Sequence, residues 1–120
     1  MTPIDIELLW FEGCPNHEGA RALLREVVAS LAPGAVIRDT DASDPVAATR
    51  LRFPGSPTIR VNGVDVDPAF RDPGDYTPRC RVFHTPRGLR GIPDRGWIEA
   101  ALLRARTADG DQARTASTPT

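Results

Sequence analysis

Cys14 is the residue of this chain best placed for chemistry. It lies in a Gly-Cys-Pro turn between an apolar strand pattern and the clearest helical pattern, and Pro15 suits the first position of that helix. Free backbone amides at the start of a helix favour an anion, so we expect a reactive, partly ionised thiol. His17, one turn further, could stabilise the thiolate or carry its proton. The alternative is an inert buried cysteine beside a surface histidine.

Cys80 is the second candidate, as a distant resolving thiol for Cys14. The Asn62-Gly63 turn sends the chain back toward the end of the sheet where Cys14 is expected, and the loop 67–79 starts there. That loop is long enough for Cys80 to return to the same place, although nothing forces it to. The alternative is a half-buried cysteine at the start of a strand. Arg79 and Arg81, which flank Cys80, are interpreted as a solvated loop face.

Composition argues against several function classes. A zinc site needs about four ligands, and the chain has only two Cys and two His, with no C-x-x-C pair, so a zinc site is not expected. The 15 basic residues, all Arg, nearly balance 16 acidic ones, whereas nucleic-acid-binding proteins usually carry a basic patch. No apolar run is long enough to span a membrane, and the N-terminus lacks a signal sequence. We therefore expect a cytoplasmic protein that needs no metal or cofactor and binds neither nucleic acid nor membrane.

The elements that must position the two thiols follow from hydropathy patterns and turn residues. These predict, in order, a strand at 4–11, a helix at 17–31, a strand at 35–39, a helix at 45–52, strands at 58–61 and 64–66, an extra hairpin from a strand at 80–84, and a helix after Asp94. A strand–helix–strand opening implies a parallel pair, and helices are expected on both faces of the sheet. Residues 1–106 are predicted to form one α/β domain, and 107–120, which lack apolar periodicity, a disordered tail.

Two stretches of this sequence resemble the thioredoxin superfamily: Trp10-Phe11-Glu12-Gly13-Cys14-Pro15-Asn16-His17 and Gly55-Ser56-Pro57-Thr58. The resemblance covers about residues 4–106. It implies a three-layer α/β/α sandwich with a mixed four-stranded sheet, and a cis-proline at Pro57 facing Cys14. It also implies that substrate contacts come from Pro15, Asn16, Ser56, Pro57 and Thr58. His17 stands where that family has its second active-site cysteine.

These observations predict a thiol redox protein. In this interpretation Cys14 attacks a disulfide, a peroxide or another electrophile, and Cys80 or an external thiol resolves the product. The partner is then a protein or a low-molecular-weight thiol or disulfide.

Two other functions stay open. The chain is similar to small actinobacterial thioredoxin-like proteins, some of which carry selenocysteine at the position of Cys14 and which are often labelled alkylmercury lyase. Such lyases bind the mercury with two well-separated cysteines. An acidic residue three positions after the first cysteine assists protonolysis of the carbon–mercury bond. That position is His17 here, and Glu12 or Glu18 could replace the acid. The other alternative is a non-catalytic thioredoxin-fold binding module.

Overall fold

Six strands and three helices make up the computed structural model, which describes the backbone of residues 3–117 and the side chains of residues 3–107. In chain order they are β1 Asp5–Trp10, α1 His17–Leu31, β2 Val36–Asp41, α2 Pro45–Arg50, β3 Thr58–Val61, β4 Val64–Asp65, β5 Phe83–Thr85, β6 Gly88–Arg90 and α3 Arg95–Ser117. Four strands form one mixed sheet in the order β2-β1-β3-β4, and β5 and β6 form a separate hairpin.

The sheet follows the predicted connections. Strand β2 returns parallel to β1 after the α1 crossover, whereas β3 runs antiparallel to both β1 and β4. The turn between β3 and β4 places Asn62 at φ 50° and Gly63 at φ 83°, the left-handed conformations that these two residue types tolerate best. The Asn-Gly hairpin and the strand–helix–strand opening are therefore confirmed.

Two apolar clusters cover the sheet. Leu8 and Leu9 are consecutive on β1 and so point to opposite faces, and each belongs to a different cluster. The larger cluster joins Leu8 to the buried faces of α1 and α3, whose members are Ala20, Leu24, Val27, Val28, Ile98, Ala101, Leu102 and Ala105. The smaller one joins Leu9 to Ala42, Ala48 of α2 and Phe53. Helices thus pack on both faces of the mixed sheet.

Both long helices keep their predicted apolar faces, and α1 spans the predicted residues 17–31. Pro15 is not the first helical residue, however, because Pro15 and Asn16 form a turn and Asn16 is the N-cap residue. At the other end of the chain, α3 continues to Ser117, past the predicted domain end at 106, since 107–117 lacks proline and contains three alanines. Residues 118–120 of the predicted disordered tail lie outside the described part.

The segment between β4 and β5, residues 66–82, is called the excursion below. It does not form a strand at Cys80. Strand β5 starts only at Phe83, and Cys80 instead makes an isolated parallel bridge with Ser56. The predicted strand at 80–84 is thus displaced, because the backbone around Cys80 pairs with the residue before Pro57. Within the described residues, no helix is long and apolar enough to cross a membrane.

Candidate thiol site

Cys14 lies directly after β1, in a tight turn that fixes its sulfur. Its N–H donates to the Phe11 carbonyl oxygen at 3.0 Å, and the Asn16 N–H points at the Cys14 Sγ at 3.4 Å. The residue is only 3% exposed. The turn therefore gives the sulfur a backbone donor and places it beneath other parts of the chain.

Cys80 reaches the same place through backbone hydrogen bonds on both of its sides. The Ser56 N–H donates to the Arg79 carbonyl oxygen at 2.7 Å, and the Arg81 N–H donates to the Ser56 carbonyl oxygen at 2.8 Å. Cys80 is thereby held opposite Ser56, and its side chain is exposed. The return of the excursion to the end of the sheet near Cys14 is confirmed.

The two thiols lie close to one another. Thr58 of β3 pairs with Leu9 near the end of β1, so Ser56, and with it Cys80, lies at the end of the sheet that Cys14 follows. Both thiols are free. Burial of the Cys80 sulfur, the charge of the neighbouring Cys14 and a hydrogen bond to its thiol raise the pKa of Cys80.

Arg81 anchors the segment that carries Cys80. Its guanidinium pairs with Asp65 at 2.7 Å and donates to the Thr58 hydroxyl at 3.0 Å, while its carbon Cζ lies 4.5 Å from the centre of the Phe83 ring. The side chains of Arg81 and Asp65 are 10% and 3% exposed. Arg79 is exposed as expected, but the prediction that Arg81 belongs to a solvated loop face is wrong, because its charge is neutralised inside the fold.

Gly55 allows the close approach of that segment. Its φ of +134° is a conformation that side chains rarely adopt, and a Cβ there would lie 2.8 Å from the Arg81 Cγ and 3.3 Å from the Arg79 carbonyl oxygen. Further out, Arg52 pairs with Asp72 at 2.5 Å and fixes the middle of the excursion. Sequence reasoning missed Gly55, Asp65 and Arg81. The signal available for two of them was a charged residue between apolar neighbours, in Val64-Asp65-Val66 and Cys80-Arg81-Val82.

The peptide bond between Ser56 and Pro57 is cis, as predicted. The side chains around it do not offer a binding surface, however. Ser56 and Thr58 are fully buried, Pro57 is buried, and the Thr58 hydroxyl donates to the Gly55 carbonyl oxygen at 2.6 Å. The Ser56 backbone, where the resemblance implies a substrate chain, is already bonded to the excursion. Of the five expected substrate contacts, only Pro15 and Asn16 keep exposed surface.

His17 is part of a different cluster. Its ring stacks on Trp10, with centroids 4.5 Å apart and planes 12° from parallel, and its Nδ1 lies 3.4 Å from Arg21. Arg21 and the Trp10 indole both donate to Asp39, and mainly the Arg21 hydrogen bond lowers the pKa of that carboxyl. These contacts give His17 a structural role against β1.

No three His, Cys, Asp or Glu side chains come together as a metal-binding group within the part of the chain that the structure describes. The candidate site is therefore the pair of sulfurs from Cys14 and Cys80, with the backbone that holds them. No family model, curated protein or solved structure matches this chain.

Proposed function

We propose that this protein is a thiol redox protein in which Cys14 and Cys80 interconvert between two thiols and one disulfide. The observation that carries the proposal is the proximity of the two thiols, which come from segments far apart in the sequence: the bridge of Cys80 with Ser56 and the pairing of β3 with β1 bring Cys80 to the end of the sheet that Cys14 follows, and Cys14 is among the causes that raise the pKa of Cys80. Burial alone would explain an isolated cysteine. It does not explain why an excursion held by Ser56, Asp65 and Arg52 should deliver a second thiol to the first.

The reaction balances with a disulfide as oxidant. A protein thiolate attacks an external disulfide RSSR, a mixed disulfide forms, and one RS⁻ leaves. The second protein thiol loses its proton to water and attacks the mixed disulfide, which expels the second RS⁻ and closes the Cys14–Cys80 bond. The protein gives up two electrons and RSSR gains them. With a peroxide, the first product is a sulfenic acid and the second step releases water.

The architecture supports a thioredoxin-like assignment for this domain. The strand order β2-β1-β3-β4 with β3 antiparallel agrees with the mixed four-stranded sheet that the sequence resemblance implies. The two apolar clusters agree with a three-layer sandwich, with α1 and α3 on one side and α2 on the other. Cys14 then lies where the resemblance implies a reactive cysteine, between β1 and α1.

Formation of the intramolecular bond is the direct test. The reduced protein is titrated with oxidised dithiothreitol, quenched with acid, alkylated and digested, and the peptides are identified by mass spectrometry. We expect a peptide pair joined through Cys14 and Cys80, and loss of the two alkylation sites together. In Cys14→Ser and Cys80→Ser this internal bond cannot form, and only mixed or intermolecular disulfides should appear.

Steady-state turnover supplies the second readout. With glutathione as reductant and a small disulfide as substrate, we expect the wild-type protein to accelerate exchange and each serine variant to lose most of that acceleration. A protein that forms no Cys14–Cys80 bond and accelerates no exchange would contradict the proposal and favour a binding module. Methane release from methylmercury would instead favour a lyase. Glu18, which could replace the acid of a lyase, argues against that function, because its carboxylate is already paired with Arg21 at 3.1 Å.

A further inference from the structure

We propose that external thiols and disulfides exchange with this protein at the Cys80 sulfur, and that Cys14 is the inner thiol that opens and closes the internal bond. This division of roles reverses the one that the sequence predicts, in which Cys14 attacks and Cys80 resolves. The inference rests on the proposed redox function and adds which sulfur meets the substrate.

Accessibility is the first observation. Cys14 is 3% exposed, whereas Cys80 is exposed. Exchange requires the attacking sulfur, the attacked sulfur and the leaving sulfur to lie nearly in line, so an external reagent needs open space around the atom it attacks. Only the Cys80 sulfur of the pair has that space in the folded protein.

The segment that carries Cys80 is firmly attached. Two backbone hydrogen bonds to Ser56 hold residues 79–81, and the buried pair of Arg81 with Asp65 holds the same segment through the Arg81 side chain. Gly55 lies so close to it that a Cβ would collide with Arg81. A reagent can reach the exposed Cys80 with none of these contacts broken, whereas Cys14 is almost fully buried in the folded protein.

The leaving group is the second observation. When RS⁻ attacks the Cys80 sulfur of the internal disulfide, a bond forms between RS and Cys80, and the electron pair of the broken bond stays on Cys14. The Asn16 N–H already points at that sulfur, at 3.4 Å, just before the first turn of α1. As the internal bond breaks, the negative charge that develops on the departing Cys14 sulfur therefore faces a backbone donor at the start of a helix.

The cycle then closes without further groups. A second RS⁻ attacks the external sulfur of the mixed disulfide, RSSR forms, and Cys80 leaves and takes a proton from water. In total, two external thiols are oxidised and the internal disulfide is reduced. The reverse direction passes through the same mixed disulfide on Cys80, which the Cys14 thiolate attacks.

Single-thiol variants test the assignment. Cys14→Ser keeps only Cys80, and Cys80→Ser keeps only Cys14, and the serine is nearly the same size as the thiol it replaces. Both variants are reduced and mixed with 2,2′-dithiodipyridine, a neutral reagent that Arg79 and Arg81 neither attract nor repel. The rates are followed against pH and compared at their high-pH limits, where the reacting thiol is fully ionised, and there we expect Cys80 to react at least about tenfold faster than Cys14. In urea the two rates should converge, which shows that folding causes the difference.

The decisive experiment uses the wild-type protein, which contains both thiols. Its oxidised form is exposed briefly to cysteamine, quenched with acid, and the newly freed thiol is labelled with N-ethylmaleimide. We expect cysteamine on Cys80 and the label on Cys14. Cysteamine on Cys14, or faster reaction of the Cys80→Ser variant, overturns the inference and leaves the redox function standing. If the oxidised form contains no Cys14–Cys80 bond, the proposed function itself fails.

Discussion

Ser56 and Cys80 lie side by side in an isolated parallel bridge, joined by hydrogen bonds from Ser56 to Arg79 and from Arg81 to Ser56. The position of Cys80 is thus set by the main chain and not by its own side chain. Replacing the thiol should therefore leave the segment in place, which is why serine variants can separate chemistry from folding. The same bonds remove the Ser56 backbone from the groups that an extended peptide could pair with.

Gly55→Ala should destabilise the protein. The alanine would have to adopt a φ of +134° and place its Cβ 2.8 Å from the Arg81 Cγ, so we expect a loss of about 1–3 kcal/mol in the free energy of unfolding. Urea unfolding measures this change in the free energy of unfolding. Gly34→Ala is the matched control, since no atom lies within 4 Å of a Cβ there, and it should change stability by less than about 0.5 kcal/mol. Equal effects of the two changes would contradict the close packing described for Gly55.

Removing one partner of the Asp65–Arg81 pair should be costly. Both side chains are mostly buried, and breaking a buried pair typically costs about 3–5 kcal/mol, so Arg81→Met should lose that order of stability; Asp65→Ala should lose less, because Asp67 remains 3.8 Å from Arg81. The double variant should lose less than the sum of the two. Arg95→Met is the control, because Arg95 is 43% exposed and its pair with Glu99 is worth about 0–1 kcal/mol. Additive losses in the double variant would show that the two groups are not coupled.

The pH dependence of Cys80 alkylation should change when Cys14 is removed. The pKa of Cys80 is raised by burial, by a Cys14 thiolate and by the hydrogen bond between the thiols. In Cys14→Ala the last two causes vanish and burial remains, so the pKa of Cys80 should fall only part of the way to its usual value. At a fixed pH below that pKa, more thiolate is then present and iodoacetamide reacts faster. A curve that coincides with that of wild-type Cys80, mapped by peptide mass spectrometry, would refute this.

His17→Phe should leave thiol–disulfide exchange nearly unchanged. The His17 ring stacks on Trp10, and phenylalanine preserves that stack. Loss of a working proton carrier typically slows a reaction about 10²–10⁴-fold, whereas we expect a change of less than about threefold in the exchange rate. His84→Phe, at an exposed position of β5, controls for removing an imidazole elsewhere. A hundredfold slower His17→Phe variant would restore the catalytic role that the sequence predicted.

Local patterns predicted the regular elements well. The apolar spacing of α1 and α3 and the Asn62-Gly63 turn are short-range signals, and the structure contains all three. The apolar pattern gave α1 its observed range 17–31, but Pro15, expected at the first helical position, lies in the turn before the helix, because proline is compatible with both places.

The path of the excursion could not be predicted in this way. Its course depends on contacts between residues distant in sequence, such as Arg52 with Asp72 and Arg81 with Asp65, and no periodicity encodes those. For the same reason, the burial of Cys14 could not be predicted from the residues around it in the sequence. The sequence alone therefore identified the two cysteines but assigned them roles without knowing which of them solvent reaches.

The separation of Cys14 and Cys80 along the chain also links oxidation to folding cooperativity. A bond between them would enclose α1 through β4 in a single covalent ring and leave β1 outside it, and a ring of this size restricts the unfolded chain by about 4 kcal/mol in loop-closure models. Oxidised protein should then resist urea to a higher midpoint than reduced protein, with a smaller dependence on denaturant because its unfolded state is more compact. The protein's resistance to unfolding would in that way report the redox state of its surroundings.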